Sequence, residues 1–168
     1  MVRVVPEKQL LEYIKLDLDA VAEIEKGFAE LDAGNATVPP IMMIPIPRLE
    51  AEVDIKAAYI EGLDSLAVKV ASGFFMNPQK GLPSQSGQML VISAQTGFLQ
   101  AVLLDNGYLT QVRTGAAGAV AAKYLAPKSA ENVGVIGAGV QARFQMRALA
   151  LVRDIKTIRT FSLDDDDV

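Results

Sequence analysis

The segment that most restricts what this chain can fold into is Gly137-Ala138-Gly139-Val140-Gln141-Ala142, which fits the pattern G-x-G-x-x-G/A. An apolar run, Val133-Gly134-Val135-Ile136, precedes it. A helical pattern over residues 140–152 follows, and then a second strand-like run over residues 157–161. Strand, tight glycine turn, helix and strand in that order open a parallel α/β domain. Gly137 serves the turn, Gly139 lets backbone approach a pyrophosphate, and Ala142 lets the helix lie close to the strand. The free N–H groups and the positive dipole end of the helix suit a phosphate. A bare glycine turn can be merely structural, but this order of elements favours dinucleotide binding. The acid that would meet the ribose is displaced: Ser162 holds the expected place, and Asp164 comes two residues later. Without an acid at the first position, the pattern leaves the choice between NAD and NADP open.

Composition removes whole classes of chemistry. The 168 residues include no Cys and no His. Disulfide frameworks, thiolate zinc sites, cysteine nucleophiles, imidazole metal clusters and Ser-His-Asp triads are therefore excluded. What remains is Lys, Arg, Asp, Glu, Ser, Thr and Tyr, or a bound cofactor. A formal charge of −4 argues against a nucleic-acid partner. Four aspartates at residues 164–167 account for that imbalance and read as a solvated run. No window approaches the ~20 apolar residues of a membrane span. The most apolar stretch, residues 38–47, holds Pro39, Pro40, Pro45 and Pro47. The first residues do not read as a signal peptide, and the expectation is a cytoplasmic protein.

Ahead of the glycine turn the pattern is different. Residues 7–14 read as a short helix, and Asp17 reads as the N-cap of a longer one over residues 18–33. In that helix Val21, Ile24, Phe28 and Leu31 recur at helical spacing before a Gly34-Asn35 stop. Residues 39–47 are extended, since proline excludes helix. Val53, Ile55, Ala57 and Tyr59 alternate with Asp54, Lys56 and Ala58. Leu66, Val68 and Val70 alternate with Ala67, Lys69 and Ala71, so Lys69 lies opposite the valines. Residues 88–94 and 98–104 form a strand pair around Thr96-Gly97, and Asp105-Asn106-Gly107 is a further turn. The expected class is α/β: an α+β domain over residues 1–112 with a largely antiparallel sheet, a connecting Ala/Gly-rich helix over 113–130, and the first part of a Rossmann-type nucleotide-binding domain over 131–168. A complete half of such a domain has a third strand and another helix, so this one reads as incomplete.

Two cations stand out in the first 112 residues and the helix after them. Lys69 is a solvated strand lysine, a cation for a substrate carboxylate, or an amine tuned by burial. Arg113 reads as opening the Ala/Gly-rich helix, where the macrodipole disfavours a cation, which points to an anion partner. Gly81-Leu82-Pro83-Ser84-Gln85-Ser86-Gly87 is a polar turn.

Taken together, several segments resemble the ornithine cyclodeaminase/mu-crystallin family. They are Lys69, Asn77-Pro78, Gly81-Leu82-Pro83-Ser84 with Gly87, residues 104–110, residues 113–122, and the glycine turn through Arg143. Residues 52–56, 72–75 and 103–110 look most like the cyclodeaminase-type protein of ectoine utilisation. The resemblance implies an NAD-dependent, ammonia-eliminating cyclodeaminase acting on a small amino acid, with hydride leaving the α-carbon to give an imine. Imine or ketimine reduction and amino-acid dehydrogenation are the family's alternatives, and a noncatalytic protein holding NAD(P)H and a small ligand is the third reading. By the same resemblance Lys69 and Arg113 hold the substrate carboxylate, with Lys69 assisting proton transfer and Arg113 near the cofactor. Arg48 stands for a further substrate arginine, and Ser84, Gly137, Gly139, Val140, Gln141, Ser162 and Asp164 stand for cofactor contacts. No metal is implied, and a homodimer is. The family's catalytic aspartate would lie beyond Val168, so the chain resembles a C-terminally truncated member, inactive alone.

Overall fold

The structure is a computed structural model and describes residues 1–162. The chain divides into two compact units, Met1–Tyr13 with Ala29–Tyr108, and Ile14–Phe28 with the residues from Leu109 onward.

The first unit is built on a seven-stranded sheet. In chain order it contains β1 (Arg3–Pro6), α1 (Glu7–Tyr13), β2 (Ala36–Thr37), β3 (Met42–Ile46), β4 (Ala51–Ile60), β5 (Ser65–Phe74), β6 (Gln85–Ser93) and β7 (Leu99–Leu104). The strand order is β1-β7-β6-β5-β4-β2, with β3 also pairing β4. Only β1 runs parallel to its neighbour, Arg3 facing Ala101. Pro45 is accommodated because β3 pairs on one side only, with β4. β4 and β5 are ten residues each and pair from Ala51↔Phe74 through Lys56↔Lys69 to Ala58↔Ala67. Their alternation puts Val53, Ile55, Val68 and Val70 on one face and Asp54, Lys56 and Lys69 on the other. The β6–β7 connection is shaped by Ser93: its buried hydroxyl accepts from the Gln95 and Thr96 N–H groups at 3.3 and 3.2 Å. Gly97 then supplies φ +73°.

Asp105-Asn106-Gly107-Tyr108 is a tight turn with the Tyr108 N–H donating to the Asp105 carbonyl at 2.9 Å. Its central residues have φ +50° and +88°, the signs of a type I′ turn, which is why Asn and Gly occupy them. The turn is pinned to β6, with the Ser86 hydroxyl 3.1 Å from Asn106 Oδ1. A Cβ on Gly87 would lie 3.4 Å from Gly107 Cα.

The second unit is mainly helical around a short sheet. Its elements are most of α2 (Leu18–Asp32), α3 (Tyr108–Leu125), β8 (Asn132–Ile136), α4 (Val140–Val152) and β9 (Thr157–Phe161). Asp17 caps α2, its Oδ1 accepting the Ala20 N–H at 2.9 Å. Val21, Ala116, Ala119, Val120 and Ala148 form the core, with Leu16, Ile24 and Val152 packed on it. Small residues let α3 and α4 approach closely: a Cβ on Gly115 would meet the Phe144 carbonyl oxygen at 2.9 Å. β8 and β9 are parallel, Asn132 facing Thr157, with α4 as the crossover.

One expectation needs correcting. The small-residue helix starts at Tyr108, not at Arg113. Arg113 is therefore beyond the first turn, where the macrodipole argument no longer applies.

Candidate functional sites in the sheet unit and at the glycine turn

In the sheet unit, Lys69 sits mid-strand on β5, flanked across the ladders by Lys56 on β4 and Met89 on β6. Lys56 Nζ donates to Asp54 Oδ2 at 2.9 Å, and both residues are on the face that carries Lys69. Alternation in the sequence places Asp54 and Lys56 together, but only the strand register shows that Lys56 faces Lys69.

Ser84 lies just ahead of β6 in a loop that folds on itself. Asn77 Nδ2 donates to the Pro83 carbonyl at 3.1 Å, and the Ser84 carbonyl accepts the Phe74 N–H at 2.7 Å. Arg48 is exposed in the 3-10 turn between β3 and β4. Along β4, Ala51 is five residues from Lys56, about 17 Å of strand.

In the second unit, Arg113 lies on α3 and is solvent-accessible, yet partial burial pushes its guanidinium below its usual value. The glycine turn follows β8. Gly137 has φ +98° and donates its N–H to the Phe161 carbonyl at 2.7 Å, which ties the turn to the end of β9. Gly139 is the N-cap residue of α4, and no side chain caps the helix there. Its φ is −67°, ordinary for any residue, and an added Cβ would meet nothing within 4 Å. Glycine is accepted at a helix N-cap, and the open space among the described residues leaves the helix start accessible to a ligand. Gln141 Oε1 is buried without a hydrogen-bond partner beside the same helix start. Behind the turn, Val135, Ala138, Ala142, Met146 and Ile158 line most of a largely apolar pocket of about 310 Å³. Ser162 directly follows β9, while Asp164 lies outside the described residues. Among the described residues, no helix is long and apolar enough to cross a membrane.

Comparison with known proteins identifies the family and related folds. The model of the ornithine cyclodeaminase/mu-crystallin family matches residues 3–168. An uncharacterised cyclodeaminase of Sinorhizobium fredii is 51% identical over 163 residues, covering 96% of this chain and 49% of its own length. The Δ1-pyrroline-2-carboxylate reductase of Thermococcus litoralis, solved with NADH and L-proline, superposes with a TM-score of 0.93 at 34% identity, covering 99% of this chain and 51% of that one. An archaeal alanine dehydrogenase dimer with bound NAD gives a TM-score of 0.90 at 30% identity, covering 99% and 50%. The chain thus spans about half the length of each relative.

Proposed function

The chain belongs to the ornithine cyclodeaminase/mu-crystallin family, and from that premise we propose that it contributes to an NAD-dependent enzyme working at the carbon–nitrogen bond of a small amino or imino acid. The observation that carries this is Gly139: an uncapped helix start with an ordinary backbone angle and open space where a side chain would be. Support for NAD rather than another anion comes from the relatives solved with NADH or NAD. The N–H groups at the start of α4 would hold the cofactor's phosphates, with Gln141 and Ser162 as further contacts. When bound, NAD supplies hydride acceptance and donation at the substrate α-carbon.

Lys69 would hold the substrate carboxylate, sharing that task with Arg113, and would assist proton transfer at the nitrogen. Arg48 and Ser84 remain proposed contacts to substrate and cofactor. Ammonia-eliminating cyclisation is supported by the similarity to the Sinorhizobium fredii cyclodeaminase. Imine reduction is supported equally by the Thermococcus litoralis enzyme. A homodimer and a cytoplasmic setting belong to the same proposal, the dimer supported by the archaeal relative. So do the ectoine-utilisation subgroup and the role of residues 131–168 as the first part of a longer nucleotide-binding domain.

The test is NADH binding, followed by fluorescence, for the unsubstituted chain and for Gly139→Ala. The added methyl meets no protein atom, so the expected loss of stability stays within about 1 kcal/mol. Affinity for NADH should fall about tenfold or more, since a change of ~1.4 kcal/mol at the pyrophosphate suffices. Unaltered affinity in the variant refutes the assignment of the turn.

A further inference from the structure

Along α2, Leu18, Ala22 and Glu25 are spaced so that they share one helix face. In the second unit that face, with Lys123 of α3 and the end of α4, bounds a cavity of about 310 Å³. This is far more than the ~10–15 Å³ that admits one water, and gives room for a small amino acid. Its floor is apolar, made by Leu18, Val21, Ala22 and Val152. Val152 ends α4, about 20 Å of helix from the glycine turn at the other end.

The rim carries both signs of charge. Lys123 Nζ donates to both carboxylate oxygens of Glu25, at 2.9 and 2.7 Å, and the Tyr124 hydroxyl donates to Oε1. The pair is open to solvent, with side chains 44% and 26% exposed for Lys123 and Glu25. Neither partner is saturated, because an ammonium has three donors and a carboxylate about four lone-pair sites. Arg153, also on the rim, donates from Nη1 to the Val152 carbonyl and from Nη2 to the carbonyls of Ala122, Lys123 and Ala126. Its partners among the described residues are thus main-chain carbonyls and not a carboxylate. Nη1 keeps a second N–H, and Nε is buried with no hydrogen-bond partner.

We propose that this cavity binds a free α-amino acid with an apolar side chain, independently of the proposed cofactor and substrate contacts. The ligand's carboxylate meets Lys123 and Arg153, its ammonium meets Glu25, and its side chain covers Leu18, Ala22 and Val152. A plain anion is repelled by Glu25, and a plain cation by Lys123 and Arg153. A zwitterion matches both signs at once. Charge-assisted hydrogen bonds orient the head group, and burial of the apolar side chain supplies affinity.

The test is calorimetric titration of the 168-residue chain with L-leucine, 4-methylpentanoate and isopentylamine. These share one branched side chain and carry both head groups, the carboxylate alone and the amine alone. L-leucine should bind about tenfold or more tightly than either analogue. Ala22→Phe, at an exposed position of α2, fills the floor and should weaken L-leucine about tenfold or more. Lys123→Gln should weaken it about fivefold, and Lys69→Ala should leave it unchanged. Absence of L-leucine binding overturns the proposal, as does an analogue that binds equally well. Unaltered affinity in Ala22→Phe or Lys123→Gln also overturns it, and loss of binding in Lys69→Ala would move the ligand to the sheet unit. Circular dichroism checks each variant's fold, and Lys123→Gln, a surface change, decides the matter if Ala22→Phe does not fold.

Discussion

The α3–α4 contact allows two glycine substitutions one turn apart to be ranked against what proximity alone suggests. An alanine Cβ at Gly115 would lie 2.9 and 3.1 Å from the carbonyl oxygen and carbon of Phe144, which are backbone atoms of α4. At Gly118 it would lie 1.8 Å from Oε1 of Gln145, closer still, but that atom ends a rotatable side chain. Both changes gain about 1 kcal/mol of helix propensity. Gly115→Ala must push one helix off the other, and overpacking of a tight contact costs about 1–3 kcal/mol. Gly118→Ala costs the bond from Gln145 Nε2 to the Thr114 carbonyl at 3.1 Å, worth about 0.5–1.5 kcal/mol. The expected net is a loss of about 0–2 kcal/mol, centred near ~1 kcal/mol, for Gly115→Ala and a change near zero for Gly118→Ala. For a chain of this size Tm moves about 2–4 °C per kcal/mol, so the central loss of ~1 kcal/mol for Gly115→Ala should lower it by about 2–4 °C. Urea and thermal unfolding followed by circular dichroism decide the matter. Gly115→Ala matching the unsubstituted chain, or Gly118→Ala proving the worse of the two, refutes the reasoning that backbone contacts cannot yield while side-chain ends can.

Two further outcomes follow from the second unit. Arg153 Nη2 donates to the carbonyls of Ala122, Lys123 and Ala126 at 2.8, 2.8 and 3.2 Å, closing the end of α3. Arg153→Met keeps the stem and loses those bonds, so stability should fall by about 2–3 kcal/mol; an unchanged urea midpoint would contradict the capping role. Glu25 accepts hydrogen bonds from Lys123 at 2.7 Å and from the Tyr124 hydroxyl. These bonds, Lys123's first, hold its carboxyl below the usual carboxylate range. A lowered folded value means the contribution is present above the unfolded value of about 4.3 and is lost as pH falls through the folded one. Glu25→Gln should therefore flatten the acid limb of a stability–pH curve below about pH 4, and equal steepness in both proteins would count against it.

Much of this was legible in the sequence because local chemistry decided it. Asp17 caps α2 as its position implied, and Gly137 takes the left-handed angle that its place in the pattern requires. The alternation along β4 and β5 separates the lysines from the valines. Other features depended on distant partners. β1 is a four-residue run ending in Pro6, and its place follows only from pairing with Ala101 to Leu104. The start of α3 was obscured because Tyr108-Leu109-Thr110-Gln111-Val112 is rich in residues that favour strands. Packing makes it helical: Val112 is buried one turn ahead of Ala116. The opposition of Lys56 and Lys69 needed the register set by the turn after Ile60, where Gly62 has φ +85° and Leu63 N–H donates to the Ile60 carbonyl.

The second unit is assembled from two separated stretches of chain, and that has a consequence during synthesis. Val21 and Ile24 leave the ribosome with the first of these stretches, but Ala116, Ala119, Val120 and Ala148, which cover them, come from the second. At the usual ~5–20 residues per second, roughly 90–130 residues of delay leave that apolar helix face open for about 5–25 s. The sheet unit is translated within this interval, and its β4–β5–β6–β7 ladder pairs neighbours in sequence. Its early closure shortens the free chain that must later be looped back, lowering the entropy cost of docking the first stretch. Birth order along the messenger thus makes the sheet a folding scaffold before it is a binding surface.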